Sequence, residues 1–186
     1  MLESNLGITN QQASDIFRWF PMGAMILTPL LGWFLAHKGK GATMLMIGAI
    51  LMFICHMTFA LVLLTPAIAF SAIILLGLSF SLVPAALWPS VPKLVDNRYM
   101  GSAYATIFWI QNLGLMAFPM IIGWVLNKVN PGVGEAIKAG EHVSYNYTVP
   151  MLIFASLGVL AFLLAFWLKL EDRKKHYGLE LPNIKK

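Results

Sequence analysis

The chain has 186 residues, of which 59% are hydrophobic and 11% are charged, and its mean hydropathy is +0.74. Soluble domains are about 45–50% apolar and about 25% charged, so this composition excludes an ordinary soluble domain and predicts an integral membrane protein. The single cysteine, Cys55, excludes an intrachain disulfide, and the net charge of +5 lies in short loops and the tail, which argues against nucleic-acid binding.

Five apolar segments are each long enough to cross the hydrocarbon core of a bilayer, which needs about 20 helical residues. In chain order we place segments A to E at about residues 16–36, 42–64, 68–92, 103–126 and 149–168. Most of the connections are short, which predicts that neighbouring segments pack as antiparallel hairpins. We therefore expect residues 1–171 to form one transmembrane bundle and residues 172–186 to form a solvated, mixed-charge tail.

Basic residues predict the orientation of this bundle. Lys128 and Lys138 lie on one side, and ten basic residues lie on the other: Lys38, Lys40, Lys93, Arg98, Lys169, Arg173, Lys174, Lys175, Lys185 and Lys186. Because positive loops stay in the cytoplasm, we expect a cytoplasmic tail and an exported amino terminus. An odd number of spans is unusual for a transporter built from symmetric repeats, and it suggests a further span upstream.

Segment C carries an unusual stripe for a helix in lipid. At about 3.6 residues per turn, one face of the helix holds five residues: Gly77, Ser81, Pro84, Trp88 and Pro92. A proline in a membrane helix leaves a carbonyl that a neighbour must satisfy, so we expect this face to line a cavity. Pro84, Pro89 and Pro92 are candidates for a gating hinge. The alternative for Trp88 is an anchor at the membrane interface.

Segment D has a polar stripe of its own. Its members share about one-third of the helical wheel: Ser102, Thr106, Trp109, Asn112, Met116, Gly123 and Asn127. Asn112 is a candidate either for binding a ligand or for a hydrogen bond between helices. Gln111 points about 100° away from Asn112, so we expect it to bond to a neighbouring helix.

Arg18 is the only charged residue inside segment A. Met25, Pro29 and Gly32 lie on the same face of the helix, and Thr28 lies beside that face. An inward Arg18 would bind a carboxylate through paired hydrogen bonds. The alternative is a local ion pair with Asp15, three residues earlier. Segments B and E lack such stripes and are expected to be lipid-facing supports. His56 in segment B, which has no carboxylate partner, is more typical of a residue bonded to backbone than of a proton relay.

The residues needed for catalysis are missing from the spans. They hold no Asp or Glu, no histidine pair with metal-ligand spacing and no glycine-rich phosphate loop. We therefore expect no enzyme activity, no metal site and no cofactor.

Three stretches resemble the major facilitator superfamily of secondary transporters. GWFLAHKGKGA is similar to the loop signature of that family, in which Gly32, Gly39 and Lys40 fit and Ala36 replaces an aspartate. ALWPSVPKLV and GSAYATIFWIQNLGL are similar to the tenth and eleventh spans of the branch that contains lysosomal dipeptide transporters and their bacterial relatives. The loop signature alone is weak, whereas the two helix stretches in order are more specific.

The resemblance implies that segments A to E correspond to spans eight to twelve, in an all-α, partial six-helix bundle whose eighth, tenth and eleventh spans line a cavity. The implied protein is the carboxy-terminal half of a transporter that moves small solutes, such as dipeptides or small peptides, by alternating access. The candidate substrate-binding residues are Arg18, Thr28, Ser81, Trp88, Trp109 and Asn112.

Alternating access requires a second bundle, so we expect the chain to be a fragment whose partner is the amino-terminal half with the first seven spans. The expected location is a bacterial inner membrane, or a lysosomal membrane in a eukaryote. The rival interpretation is a five-span accessory protein that acts only by packing against a membrane partner. Replacement of the signature aspartate by Ala36 also puts in doubt the electrostatic lock that this loop usually provides.

Overall fold

The computed structural model describes residues 10–63, 65–141 and 143–184, and within these ranges it contains helices and no strand. The elements are α1 (Asn10–Lys38), α2 (Gly41–Leu61), α3 (Pro66–Leu94), a 3₁₀ turn (Asn97–Tyr99), α4 (Met100–Val129), the short α5 (Val133–Lys138) and α6 (Thr148–Lys175). By length and composition, five helices are able to cross a membrane: α1, α2, α3, α4 and α6. The predicted all-α fold with five membrane helices is confirmed.

The boundary between α2 and α3 follows from local chemistry. The structure ends α2 at Leu61, earlier than predicted, because Val62 adopts an extended conformation. The side chain of Thr65 then caps α3 by accepting a hydrogen bond from the Ile68 amide at 3.3 Å. Pro66 follows at the first helical position, where a missing N–H costs no hydrogen bond.

Four helices pack closely through small residues. Helix α2 packs against α3 and α6, and α1 packs against α3. A Cβ added at Gly158 of α6 would lie 3.1 Å from the backbone nitrogen of Phe53, so these two helices cross almost backbone to backbone. Between α2 and α3, the Ser79 hydroxyl donates to the Gly48 carbonyl at 2.7 Å. Small residues and short polar contacts therefore hold this part of the bundle.

His56 of α2 also lies in this closely packed region. Its Nδ1 is 2.8 Å from the Met52 carbonyl, and its ring lies 5.4 Å from that of Phe154 on α6. The residue is buried. Its contacts match the structural interpretation of His56 rather than a proton relay.

Helix α4 is held much less closely. It touches α3 and α6 along short stretches, and none of its residues is buried. Directly after the carboxy-terminal end of α4, Asn130 and Asn146 form two hydrogen bonds. The Asn130 side chain donates to the Asn146 carbonyl at 3.1 Å and accepts from the Asn146 amide at 2.7 Å. These bonds tie α4 to the loop before α6 but leave its middle open.

The prediction of a solvated tail is wrong for the residues after α6. The segment 176–184 folds back onto the bundle, and the side chain of Leu179 is only 1% exposed. We call this end of the bundle the tail end. It also contains the loop between α1 and α2 and the end of α3. The residues of the tail beyond 184 lie outside the described part of the chain.

Candidate functional site

An aromatic junction joins the tail-end half of α3 to α4. The ring of Trp88 stacks on Phe108 with centroids 5.0 Å apart, and it lies 5.8 Å from the ring of Tyr104. Tyr104 and Phe108 are four residues apart, so they share one face of α4. We call these three residues the aromatic junction. Its contacts place Trp88 between two helices, where its half-buried ring is held by stacking.

Tyr104 also explains how α3 tolerates Pro92. Proline has no N–H, so the carbonyl of Trp88, four residues earlier, loses its helical hydrogen bond. The hydroxyl of Tyr104 donates to this carbonyl at 3.3 Å. The neighbouring helix thus supplies the missing donor, as expected for a proline inside a membrane helix. The sequence interpretation missed both Tyr104 and Phe108, because the sequence alone does not show which residues of a neighbouring helix face Trp88.

A cleft of about 480 Å³ opens between α3 and α4 on one side of the junction, with Met52 of α2 also in its wall. Its lining is mainly apolar and includes Leu76, Val83 and Ile110, with Gln111 as one of few polar groups. A second hollow of about 470 Å³ continues toward the tail end and is lined by residues such as Thr106 and Leu168. We call the two together the apolar cleft. Its chemistry suits hydrocarbon or an apolar helix better than a peptide.

The predicted polar stripe of α4 is split between two faces. Ser102 and Thr106 line the apolar cleft. Trp109 is 65% exposed, and Asn112 is exposed with its Nδ2 donating to the carbonyl of Phe108 at 2.7 Å. Asn112 therefore lies one turn beyond a member of the aromatic junction, whereas Gln111 faces the cleft. The expected separation of the two amides is present, although Gln111 has no hydrogen-bond partner among the described residues.

Ser81 does not reach an open surface. Its side chain is fully buried, and its hydroxyl donates to the Gly77 carbonyl at 2.7 Å within α3. Gly77 itself approaches the backbone of Phe20 on α1. The structure thus corrects the expectation that this end of the α3 stripe faces a cavity, because Ser81 is buried and α1 lies against Gly77.

Arg18 is paired locally and lies far from the aromatic junction. Its guanidinium donates to the Asp15 carboxylate at 2.7 Å, which is the local ion pair considered above. Phe20 contacts Phe80 at 5.2 Å, and eight helical residues, or about 12 Å, separate Phe80 from Trp88. This separation along the helix is larger than the about 7 Å that a dipeptide backbone spans, and Arg18 is held by Asp15. Both side chains would have to reach toward each other to hold one dipeptide.

The other predicted residues of α1 and α3 occupy several environments. Thr28 is half-buried in α1. Pro84 lines the apolar cleft, Pro89 lies beneath the tail and Pro92 is exposed. Helix α3 runs through all three prolines without interruption, and a hinge there stays a prediction.

Two residues of the loop signature have a clear conformational role. Gly39 has φ 73° and Lys40 has φ 68°, both in the left-handed region that favours glycine. A Cβ at Gly39 would also collide with the carbonyl of Glu180 in the tail. At Gly32, by contrast, an added Cβ would meet nothing within 4 Å. The described contacts therefore require glycine at position 39 and not at position 32.

The described residues contain no group of three or more His, Cys, Asp or Glu side chains placed to hold a metal ion. What they do contain is a bundle of apolar helices with a proline-bearing helix beside a loosely packed one. These features define a multi-pass integral membrane protein.

The sequence matches the Major Facilitator Superfamily over residues 1–182, and the chain belongs to this superfamily. It is similar to the lysosomal dipeptide transporter MFSD1 of Danio rerio, with 37% identity over 54% of this chain and 21% of the relative. The human protein of the same name is 33% identical over 66% of this chain and 26% of its own length. The mouse protein is 34% identical over 64% and 25%.

The matched stretch thus spans about a quarter of the length of these curated relatives. No solved structure gives a significant match to the chain.

Proposed function

We propose that the chain is the carboxy-terminal bundle of a secondary transporter that moves dipeptides or other small peptides by alternating access. The observation that carries this proposal is the aromatic junction, which lies beside the exposed amide of Asn112. Membership of the superfamily supports a transport role, and the names of the relatives support the substrate class. The activity to test is therefore transport and not catalysis.

Each part of this site suits one part of a small peptide. The stacked rings of Trp88 and Phe108 offer an apolar surface for a substrate side chain. The amide of Asn112 has both donor and acceptor groups, so it is able to bond to a peptide backbone. Trp109, which is exposed on the same helix, provides a second wall. Arg18 lies nearer the end of α1 opposite to the tail end, so we assign it to the approach rather than to the binding site. Thr28, near the middle of the membrane-spanning part of α1, stays a candidate for the binding site.

We further propose that the chain works against additional transmembrane helices, including the amino-terminal half of a facilitator fold. The apolar cleft is lined mainly by apolar side chains, with Trp88 at one edge, so it is suited to receive an apolar helix that would lie beside the aromatic junction. Gln111 would then donate or accept a hydrogen bond across that contact. The positive residues favour a cytoplasmic tail end in a bacterial or lysosomal membrane.

Dipeptide uptake tests the proposal directly. The gene is expressed from its own locus, with any coding sequence upstream of Met1, in cells given a radiolabelled dipeptide. Trp88→Ala is expected to lower uptake by about tenfold, which corresponds to the loss of roughly 1.4 kcal/mol of binding. Trp88→Phe keeps an aromatic ring and should retain most of the uptake. Trp167→Ala is the matched control, because Trp167 is exposed on α6.

Wild-type uptake by Trp88→Ala, at equal protein levels, would remove Trp88 from the site. Absence of dipeptide uptake by the unmodified protein would reject the substrate class.

The rival function is a five-span accessory protein that only packs against a membrane partner. The open, apolar surface of α4 favours it, because such a surface needs a cover. The rival predicts a stable complex with another membrane protein and no effect of Trp88→Ala on transport. Upstream DNA separates the two: an in-frame segment encoding about seven further spans supports the transporter half.

A further inference from the structure

The segment after α6 turns back on itself in a defined way. His176 ends the helix in the left-handed region, and its amide donates to the Asp172 carbonyl at 2.8 Å. The side chain of Asp172 is buried and accepts a hydrogen bond from the Leu179 amide at 2.9 Å. The side chain of Leu179 is buried as well. The turn is therefore fixed by a buried carboxylate and a buried leucine.

The returning segment caps the amino end of α2. The amides of Lys40 and Gly41 donate to the carbonyls of Glu180 and Leu179, each at 3.0 Å. The Glu180 carboxylate accepts from the amide and the hydroxyl of Thr43, each at 2.8 Å. The first amides of a helix lack partners within it, and its amino end attracts negative charge. Lys40 provides no side-chain cap, so the tail provides one.

The same segment reaches the other three closely packed helices. Lys93 of α3 donates to the carbonyls of Gly178 and Leu181, at 2.9 Å and 2.6 Å. The Ala36 carbonyl at the end of α1 accepts from the amides of residues 183 and 184, at 2.9 Å and 3.0 Å. Lys169 of α6 lies 4.0 Å from the carboxylate of Glu180 and donates to the Thr43 hydroxyl. Four helix ends are thus joined by nine residues.

We propose that residues 176–184, the tail clasp, hold the tail ends of α1, α2, α3 and α6 together as one rigid body. Within the described part of the chain, no hydrogen bond joins the clasp to α4. The clasp thus determines which helices move together, and α4 moves separately. Glu180 supplies a carboxylate to the α1–α2 loop, in which Ala36 stands in the acidic position of the loop signature.

Thiol labelling measures whether the clasp is closed. In the purified 186-residue chain in lipid nanodiscs, with Cys55→Ala removing the native thiol, Leu179→Cys is compared with Leu181→Cys. Residue 179 is buried and residue 181 is 64% exposed. We expect a maleimide to react about tenfold more slowly at position 179. Glu180→Ala should bring its rate close to that at position 181. Equal rates at both positions before Glu180 is changed would overturn the proposal.

Distance measurements test whether the clasp joins helices. Spin labels are placed at Lys38→Cys on α1 and Arg173→Cys on α6, which are both exposed. We expect a narrow distance distribution that broadens with Glu180→Gln, a substitution that keeps the side-chain shape. Glu171→Gln is the matched control, because Glu171 pairs only with lysines of its own helix among the described ion pairs. An unchanged distribution with Glu180→Gln and with Glu180→Ala would contradict the proposal.

Discussion

The four clasped helices and α4 show two ways of placing an apolar helix in this molecule. Helices α1, α2, α3 and α6 share close small-residue contacts and are joined at one end by the tail clasp. Helix α4 has no buried residue and contacts α3 mainly through the aromatic junction. The contrast shows that the candidate site lies where the closely packed helices meet the loosely packed α4. Trp88 belongs to the closely packed helices, and Phe108 belongs to α4.

The largest difference in lost stability between the two regions is expected when a glycine is replaced by leucine. Gly158→Leu inserts a side chain where α6 meets the backbone of Phe53, so it should push α2 and α6 apart. Overpacking of this kind costs about 1–3 kcal/mol, and backbone contact places this site near the upper value. Gly123→Leu on α4 is the control, because no atom lies within 4 Å of its Cβ position. Unfolding in mixed detergent micelles measures both, and equal losses would contradict the contrast.

An intermediate effect is expected at the clasp. Gly39→Ala forces a Cβ into the left-handed region, at a cost of roughly 1–2 kcal/mol, and into the space of the Glu180 carbonyl. Stability should fall, and the labelling rate at Leu179→Cys should rise. Gly101→Ala on α4 has open space and serves as the control. If Gly39→Ala leaves both measurements unchanged, the tail does not pack on this loop.

The smallest effect is expected where the two regions meet. Tyr104→Phe removes the donor to the Trp88 carbonyl and should destabilise the chain by about 1 kcal/mol. Pro92→Ala restores a backbone N–H at the position that normally bonds to this carbonyl. In the Pro92→Ala background, Tyr104→Phe should therefore cost almost nothing. A double-mutant cycle measures this coupling, and additive effects would show that Tyr104 does not compensate for Pro92.

Local patterns in the sequence predicted much of this fold. The five spans follow from long apolar runs, and the Arg18–Asp15 pair follows from a spacing of three on a helix. The need for a donor near Pro92 was also predictable, because proline chemistry is local. Its source, Tyr104, lies on another helix, and the sequence alone did not show which residue would face it.

Long-range contacts account for the errors. Glu180 caps α2 across 137 positions of the chain, and its segment has the polar, mixed-charge composition of a solvated tail. The helical wheel placed Ser81 correctly beside Gly77 but did not show that Phe20 of α1 lies against Gly77 and that Ser81 is buried. Periodicity identifies a face of a helix, whereas the helix that covers this face depends on tertiary packing.

The two amides of α4 provide the most direct test of the proposed solute path. With Cys55→Ala, the gene expressed from its own locus carries either Asn112→Cys or Gln111→Cys, and cells are treated with a membrane-impermeant thiol reagent with and without dipeptide. We expect Asn112→Cys to react and dipeptide to slow its reaction, and Gln111→Cys, facing a cleft filled by a helix, to stay unmodified. The assignment would be contradicted if Gln111→Cys reacted and dipeptide slowed its reaction, while Asn112→Cys did not react. That result would place the solute path in the apolar cleft.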